Sequence, residues 1–351
     1  MKFKFLILIT LMLLLVSCVD RTPVDPKPID EQESAKRNND TTQSNTKKNI
    51  DREMSEHDNI AFPEASLQKM DQGVNVVLLQ EALKDIGYEL PIDGFYSDVT
   101  TWAITDFQLQ MNDLSVTGIY DDATKLSLES MTEEGKTIEI GAGLPPLAEP
   151  AITNAGTKIM ENPYDLLAIV NKENALPKDY TPNDLTVPDV LFPFTEDLPK
   201  KQLRAPAARA LEDLFAVAEE AGHQLFAQSG FRSYKRQVSL FTAYSKEHGE
   251  EAANIFSARP GESEHQSGLS IDITSANVGH QLVTAFGETP EGEWVANHAD
   301  EFGFIIRYPE GKEDITQYQF EPWHLRYVGD KAAKEIKEAD MTLEEYFDEV
   351  N

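Results

Sequence analysis

The sequence predicts an α+β fold, a larger C-terminal domain with a mainly antiparallel sheet flanked by helices, preceded by a small helical unit. Three observations lead there. Helical periodicity dominates between about residues 73 and 131, where Val76, Leu79, Leu83 and Ile86 recur on one face and Val99, Ala103, Phe107 and Met111 on another. Beyond residue 200 short alternating segments, Gln224–Ser229, Leu269–Thr274 and Phe304–Tyr308, read as strands. Between and around them lie helical stretches at about Ala205–Ala221, Tyr234–His248, Pro290–Ala299 and Lys331–Ala339. At 351 residues the chain has room for two such units and their connections.

Residues 1–17 carry Lys2 and Lys4, an apolar run from Phe5 to Val16 broken by Thr10, and Leu15-Val16-Ser17 ahead of Cys18. That run is too short for a membrane span, which needs about 20 residues, and has the layout of a signal peptide. The segment resembles bacterial lipoproteins. The resemblance implies a lipid on Cys18 and tethering to the outer face of the cytoplasmic membrane. Cys18 is the only cysteine, so an internal disulfide, a thiolate metal cluster and a cysteine nucleophile are all excluded. The formal charge is -30, with 61 acidic residues against 31 basic ones, which argues against a nucleic-acid partner.

From residue 18 to 72 the chain is polar and poor in apolar side chains, the composition of a disordered stalk. The helical unit at 73–131 contains an internal echo: Asp93-Gly94-Phe95-Tyr96-Ser97-Asp98 returns as Thr117-Gly118-Ile119-Tyr120-Asp121-Asp122, each a turn leading into a helix cap. Through Leu79-Gln80, Leu83, Gly87-Tyr88, Asp93-Gly94 and Phe107-Gln108 this stretch resembles the peptidoglycan-binding domain type 1, which implies a three-helix wall-binding module. Residues 132–161, with Gly141, Gly143, Pro145, Pro146 and Pro150, read as a linker. The second domain spans 162–351.

Chemistry concentrates in two segments of that domain. In Ser263-Glu264-His265-Gln266-Ser267-Gly268-Leu269-Ser270-Ile271-Asp272, alternation turns Leu269, Ile271 and Ile273 toward the core and Ser270 and Asp272 the other way. His265 then reaches Asp272 from the preceding loop. Zinc accepts such an imidazole and carboxylate mixture, and a catalytic site needs one further ligand and an open position. Glu321-Pro322-Trp323-His324 offers that ligand in His324, leaving Glu321 free to act as the base beside the metal-activated water. The remaining histidines, His57, His223, His248, His280 and His298, lack comparable company and read as structural or solvated.

Together these segments resemble the VanY-type D-alanyl-D-alanine carboxypeptidases, zinc metallopeptidases that share a fold with the hedgehog signalling domain. The likeness runs from about Tyr164 to Ala339. It includes Val170-Asn171-Lys172, Leu176-Pro177-Lys178-Asp179-Tyr180, Ser229-Gly230-Phe231-Arg232-Ser233-Tyr234 with Gln237, and the two segments above. The resemblance implies Zn2+ held by His265, Asp272 and His324, Glu321 as general base, and Arg232 on the anionic part of the peptide, with Gln237 and Ser267 as further substrate contacts. An Arg suits that task because its planar fork can hold a carboxylate or oxyanion by paired hydrogen bonds. Phe231 stands where Tyr is frequent in the family and Ser270 where Ala is common; neither touches the metal set.

The implied reaction is removal of terminal D-alanine from peptidoglycan stem peptides. Two alternatives compete with it: an L,D-carboxypeptidase acting on tetrapeptide stems, since ligand spacing does not report pocket shape, and a wall-binding lipoprotein without catalysis. A serine mechanism would need a Ser-x-x-Lys element. Such strings at Ser44–Lys47 and Ser66–Lys69 lie in or beside the stalk, and the companion Lys-Thr-Gly is absent.

Overall fold

Three helices, α1 (Val74–Asp85), α2 (Asp98–Gln110) and α3 (Asp122–Glu133), open the computed structural model, which describes residues 61–146 and 151–348. Cys18, the apolar leader and most of the expected stalk lie outside the described residues. The stripe Val76, Leu79, Leu83 and Ile86 is buried, as its spacing requires. The second stripe is displaced: Ala103 and Phe107 are buried, but Val99, in the first turn of α2, is exposed, and Thr100 and Ile104 take the inward positions.

The internal echo has a physical basis in two buried amides. Gln80 Oε1 accepts the N–H groups of Asp93 and Gly94, and its Nε2 donates to Phe95 O. Gln108 repeats this with the N–H groups of Thr117 and Gly118 and with Ile119 O. Each turn is thus pinned by a glutamine from the helix before it, which satisfies backbone groups that would otherwise be orphaned.

Residues 61–72, expected in the stalk, instead belong to this bundle. Leu67 is buried and exchanges backbone hydrogen bonds with Tyr120, and Gln72 bridges to Phe95. Phe62, Leu67 and Met70, set among polar residues, fall on no sustained helical or strand period, so the boundary at 72 is too late. The expected linker is also held. Buried Asp106 accepts from Tyr88 Oη and from the N–H groups of Gly141, Gly143 and Leu144. Further on, β1 (Lys158–Ile159) pairs in parallel with β2 (Asn174–Ala175).

An antiparallel pair, β3 (Leu185–Thr186) with β4 (Leu203–Arg204), leads into α4 (Ala205–Glu220). Then follow β5 (Phe226–Ser229), α5 (Tyr234–His248), α6 (Glu250–Phe256), β6 (Ser270–Thr274), α7 (Pro290–His298) and β7 (Phe304–Ile306). The chain continues through α8 (Glu313–Thr316), β8 (His324–Tyr327), α9 (Asp330–Ala339) and α10 (Leu343–Asp348). The main sheet runs β5-β6-β8-β7 and every pairing is antiparallel. Seven of these elements, β5, β6, β7, α4, α5, α7 and α9, lie within a few residues of where periodicity puts them. Strand β8 does not announce itself, because Pro322 and the turn before it mask a run of only four residues.

The core forms where the stripe of α4, Ala208, Leu211, Leu214, Phe215 and Ala218, meets Leu269, Ile271 and Ile273 and, from β8, Leu325. Burial of such side chains contributes about 1.5–3 kcal/mol each. Strand β6 is covered on both faces, so its polar positions Ser270 and Asp272 are as enclosed as its apolar ones. A polar group in that setting requires partners.

Candidate metal centre

Strand register brings two of the expected ligands together. Asp272 on β6 lies directly opposite His324 on β8, and His324 Nδ1 is 3.0 Å from Asp272 Oδ1. His265 arrives from a single 3-10 turn, Glu264–Ser267, that closes on Gly268 with φ of 70°. A side chain there would be strained, and its Cβ would crowd Arg204 and Leu185 at 3.0 Å. His265 Nε2 is 3.4 Å from Asp272 Oδ2. The three side chains are buried, and one ligand atom from each lies within 4.8 Å of the other two.

Both imidazoles have their second nitrogen engaged elsewhere. His265 Nδ1 is 2.9 Å from Gly230 O, and His324 Nε2 is 3.4 Å from Glu264 Oε2. Gly230 can approach this closely because it has no side chain; a Cβ would stand 2.5 Å from Gln202 O. The nitrogens that remain face Asp272. Two imidazole nitrogens and one carboxylate oxygen, with no thiolate, form a donor set that suits zinc with an open position. The described residues therefore fit the cation that the sequence implies.

Electrostatics divide the two imidazoles. Burial and the charge of Arg232 push His265 down to about 3, whereas for His324 hydrogen bonds to Asp272 and Glu264 outweigh burial and push it up to about 9. Burial would raise Asp272, but the charges of His265, His324 and Arg232 hold it below the usual carboxylate range.

Glu321 sits at the turn into β8, its Oε2 4.0 Å from His324 Nδ1. Burial, reinforced by the charge of Asp272, pushes its carboxyl up to about 7. Arg232 follows β5 and reaches the same cavity, of about 380 Å3, which His265, Asp272, His324 and Glu321 also line. Burial lowers the Arg232 guanidinium from its ordinary value. The site therefore combines three side chains able to hold a cation, a carboxyl pushed up to about 7 and a buried guanidinium.

Two expected substrate contacts are placed differently. Gln237 is enclosed in α5, where Oε1 accepts from Arg232 Nη1 at 3.1 Å and Nε2 donates to Ala258 O at 2.6 Å. Ser267 Oγ donates to Glu264 O and accepts from Leu269 N. Neither lines the cavity. Gln237 holds Arg232 and Ser267 closes the turn beneath His265, because each amide or hydroxyl is claimed by nearby backbone. The Ser66–Lys69 string is also committed elsewhere, Lys69 being paired with Asp98 at 2.6 Å and Asp165 at 3.4 Å.

Sequence reasoning missed Glu264, Arg307 and Arg326, which surround His324 from behind. A signal existed for one of them: on a strand, Arg326 must share a face with His324 two residues earlier. Arg307 Nε and Arg326 Nη1 both donate to Glu264 Oε1, at 2.7 and 2.6 Å. Against the effect of burial they hold the Glu264 carboxyl well below the usual range. Gln266, from the same turn, donates to Pro177 O and Tyr180 O and so ties the Leu176–Tyr180 segment to the site.

Comparison with known proteins agrees with this architecture. Residues 200–330 match the VanY family profile, described as D-alanyl-D-alanine carboxypeptidase, and residues 72–128 match a "Putative peptidoglycan binding domain". The chain is 52% identical over 195 residues to "Putative carboxypeptidase YodJ" of Bacillus subtilis (strain 168), covering 56% of this chain and 71% of the relative. It is 35% identical over 185 residues to the bifunctional D-Ala-D-Ala dipeptidase and D-Ala-D-Ala carboxypeptidase VanXYC of Enterococcus gallinarum, covering 52% of this chain and 93% of the relative. Among solved structures it is similar to the LdcB LD-carboxypeptidase, with a TM-score of 0.56 and 50% identity over 58% of this chain and 94% of that one. With its sheet, its converging triad and these relatives taken together, the chain belongs to the VanY family of D-alanyl-D-alanine carboxypeptidases and carries a peptidoglycan-binding domain ahead of the peptidase domain.

Proposed function

We propose that this carboxypeptidase is zinc-dependent and releases the terminal D-alanine of peptidoglycan stem peptides. The observation that carries the reading is the convergence of His265, Asp272 and His324 in a cavity shared with Glu321 and Arg232. Zinc bound there supplies a Lewis acid that polarises the scissile carbonyl and acidifies water. Glu321, poised near neutrality, takes the proton of the attacking water and passes one to the departing amine. Arg232, braced by Gln237, presents its guanidinium to the terminal carboxylate or to the developing oxyanion.

The family profile and VanXYC support the D,D bond of a pentapeptide as the substrate linkage. A second reading, the L,D bond of a tetrapeptide, is supported by the higher identity to LdcB. Both release the same amino acid from the same kind of strand. Purified protein is incubated with defined pentapeptide and tetrapeptide muropeptides, with and without chelator, and free D-alanine is measured. Release from at least one, abolished by chelation and by Glu321→Gln with zinc still bound, is the expected result; the ratio of the two rates assigns the bond. A protein that binds wall but frees no D-alanine from either would sink the proposal.

A further inference from the structure

The Glu264 carboxylate takes no part in the reaction above, yet it is enclosed to 1% exposure directly behind a ligand. Its two oxygens face different groups. Oε1 receives both Arg307 Nε and Arg326 Nη1, while Oε2 lies 3.4 Å from His324 Nε2. The arginines are themselves fixed. Arg307 forms two further bonds with Glu344 on α10, at 2.8 and 2.6 Å, and Arg326 donates to Leu166 O and Ala168 O. The carboxylate therefore cannot turn, and the oxygen it shows to His324 can only accept.

We infer that Glu264 is a positioning residue that holds the hydrogen of His324 on Nε2, so that the Nδ1 lone pair is the one directed at the metal. This rests on the zinc reading of the previous subsection. An imidazole carries one hydrogen when it ligates, and the partner of its other nitrogen decides which nitrogen is free. Glu264 makes that choice for His324, as the Gly230 carbonyl does for His265 with the opposite nitrogen. Arg307 and Arg326 make the choice rigid, and α10 extends the support to the C-terminal end of the fold.

The substitution Glu264→Gln reverses the selection. Two guanidinium donors at the Oε1 position require an acceptor, so the amide oxygen must take that place. The NH2 group is then aimed at His324 Nε2, which favours hydrogen on Nδ1, the nitrogen needed for the metal. Zinc affinity, read by competition with a chromogenic chelator, should fall about 10- to 100-fold, and the visible bands of the cobalt-substituted protein should shift. Loss of thermal stability in metal-free Glu264→Gln with parental zinc affinity and parental cobalt bands would overturn the inference, because that is how a purely structural ion pair behaves.

A measurement on the unmodified, zinc-loaded chain keeps the inference testable if the variant does not fold. With nitrogen-15-labelled histidine, His324 should show its bonded proton on Nε2; a proton on Nδ1 would refute the assignment by itself. A parent chain that binds no zinc overturns the metal reading as well. Zinc-binding parent protein with an unaltered Glu264→Gln variant removes the inference alone.

Discussion

Glu321→Gln separates function from stability in a way the structure makes quantitative. Moving a carboxyl from 4.5 to about 7 in the folded chain corresponds to about 3 kcal/mol between its protonated and ionised states. Because the folded-state value is raised, the favourable contribution is present below pH 4.5, where the group is protonated in both states. It is lost as pH rises through about 7. A neutral glutamine of nearly the same shape avoids that loss. Chelator-treated Glu321→Gln should match the parent near pH 4.5 and exceed it by up to about 3 kcal/mol above pH 8, equivalent to roughly 5–10 °C in melting temperature. Thermal unfolding followed by circular dichroism at the two pH values reads this directly. A variant no more stable than the parent at pH 8 would show that Glu321 is not held in an environment that resists its charge, and the argument for a base poised near neutrality would go with it.

Arg232→Lys should keep full zinc content but lower kcat/KM about 100-fold, since a point charge cannot reproduce the paired donors; a parental rate would remove Arg232 from the reaction. Gln108→Ala leaves the N–H groups of Thr117 and Gly118 without their acceptor, and chemical denaturation should register a loss of about 3 kcal/mol. Between pH 7 and 9 the apparent zinc affinity should rise about tenfold per pH unit, because His324, raised to about 9, must give up a proton and His265, lowered to about 3, need not. A slope of two protons in a chelator titration would mean that both imidazoles are charged.

The parts of this fold that show in the sequence are those where one physical signal repeats. The α4 stripe and the alternation at Leu269, Ile271 and Ile273 mark surfaces that must be buried, and both are. His265, Asp272, Glu321 and His324 could be picked out because the chemistry of a hydrolytic metal site restricts residue type. What escaped has no period. Leu67 joins the bundle by burial and by two backbone hydrogen bonds that a residue of almost any type could make, and the 141–144 segment is held through the N–H groups of Gly141, Gly143 and Leu144 by one carboxylate, Asp106. Val99 shows the converse, an apolar residue at helical spacing that the start of α2 leaves facing outward.

The polar surroundings of the site follow from one structural choice, placing a proposed ligand on a strand covered on both faces. Asp272 in β6 is rigid for that reason, and its neighbour across the register, His324, is rigid with it. Enclosure of that kind raises the free energy of every charge nearby. Glu264, Arg307, Arg326 and Glu344 answer it as an alternating chain in which each charge meets its opposite within 2.6–2.8 Å. Glu321 also lines the cavity but lies outside that chain, and among the described residues its one ion-pair partner is His324, at 4.0 Å. The same burial that fixes His265, Asp272 and His324 thus leaves the Glu321 carboxyl free of a tight ion pair, and this is what the proposed base, on the turn before β8, requires.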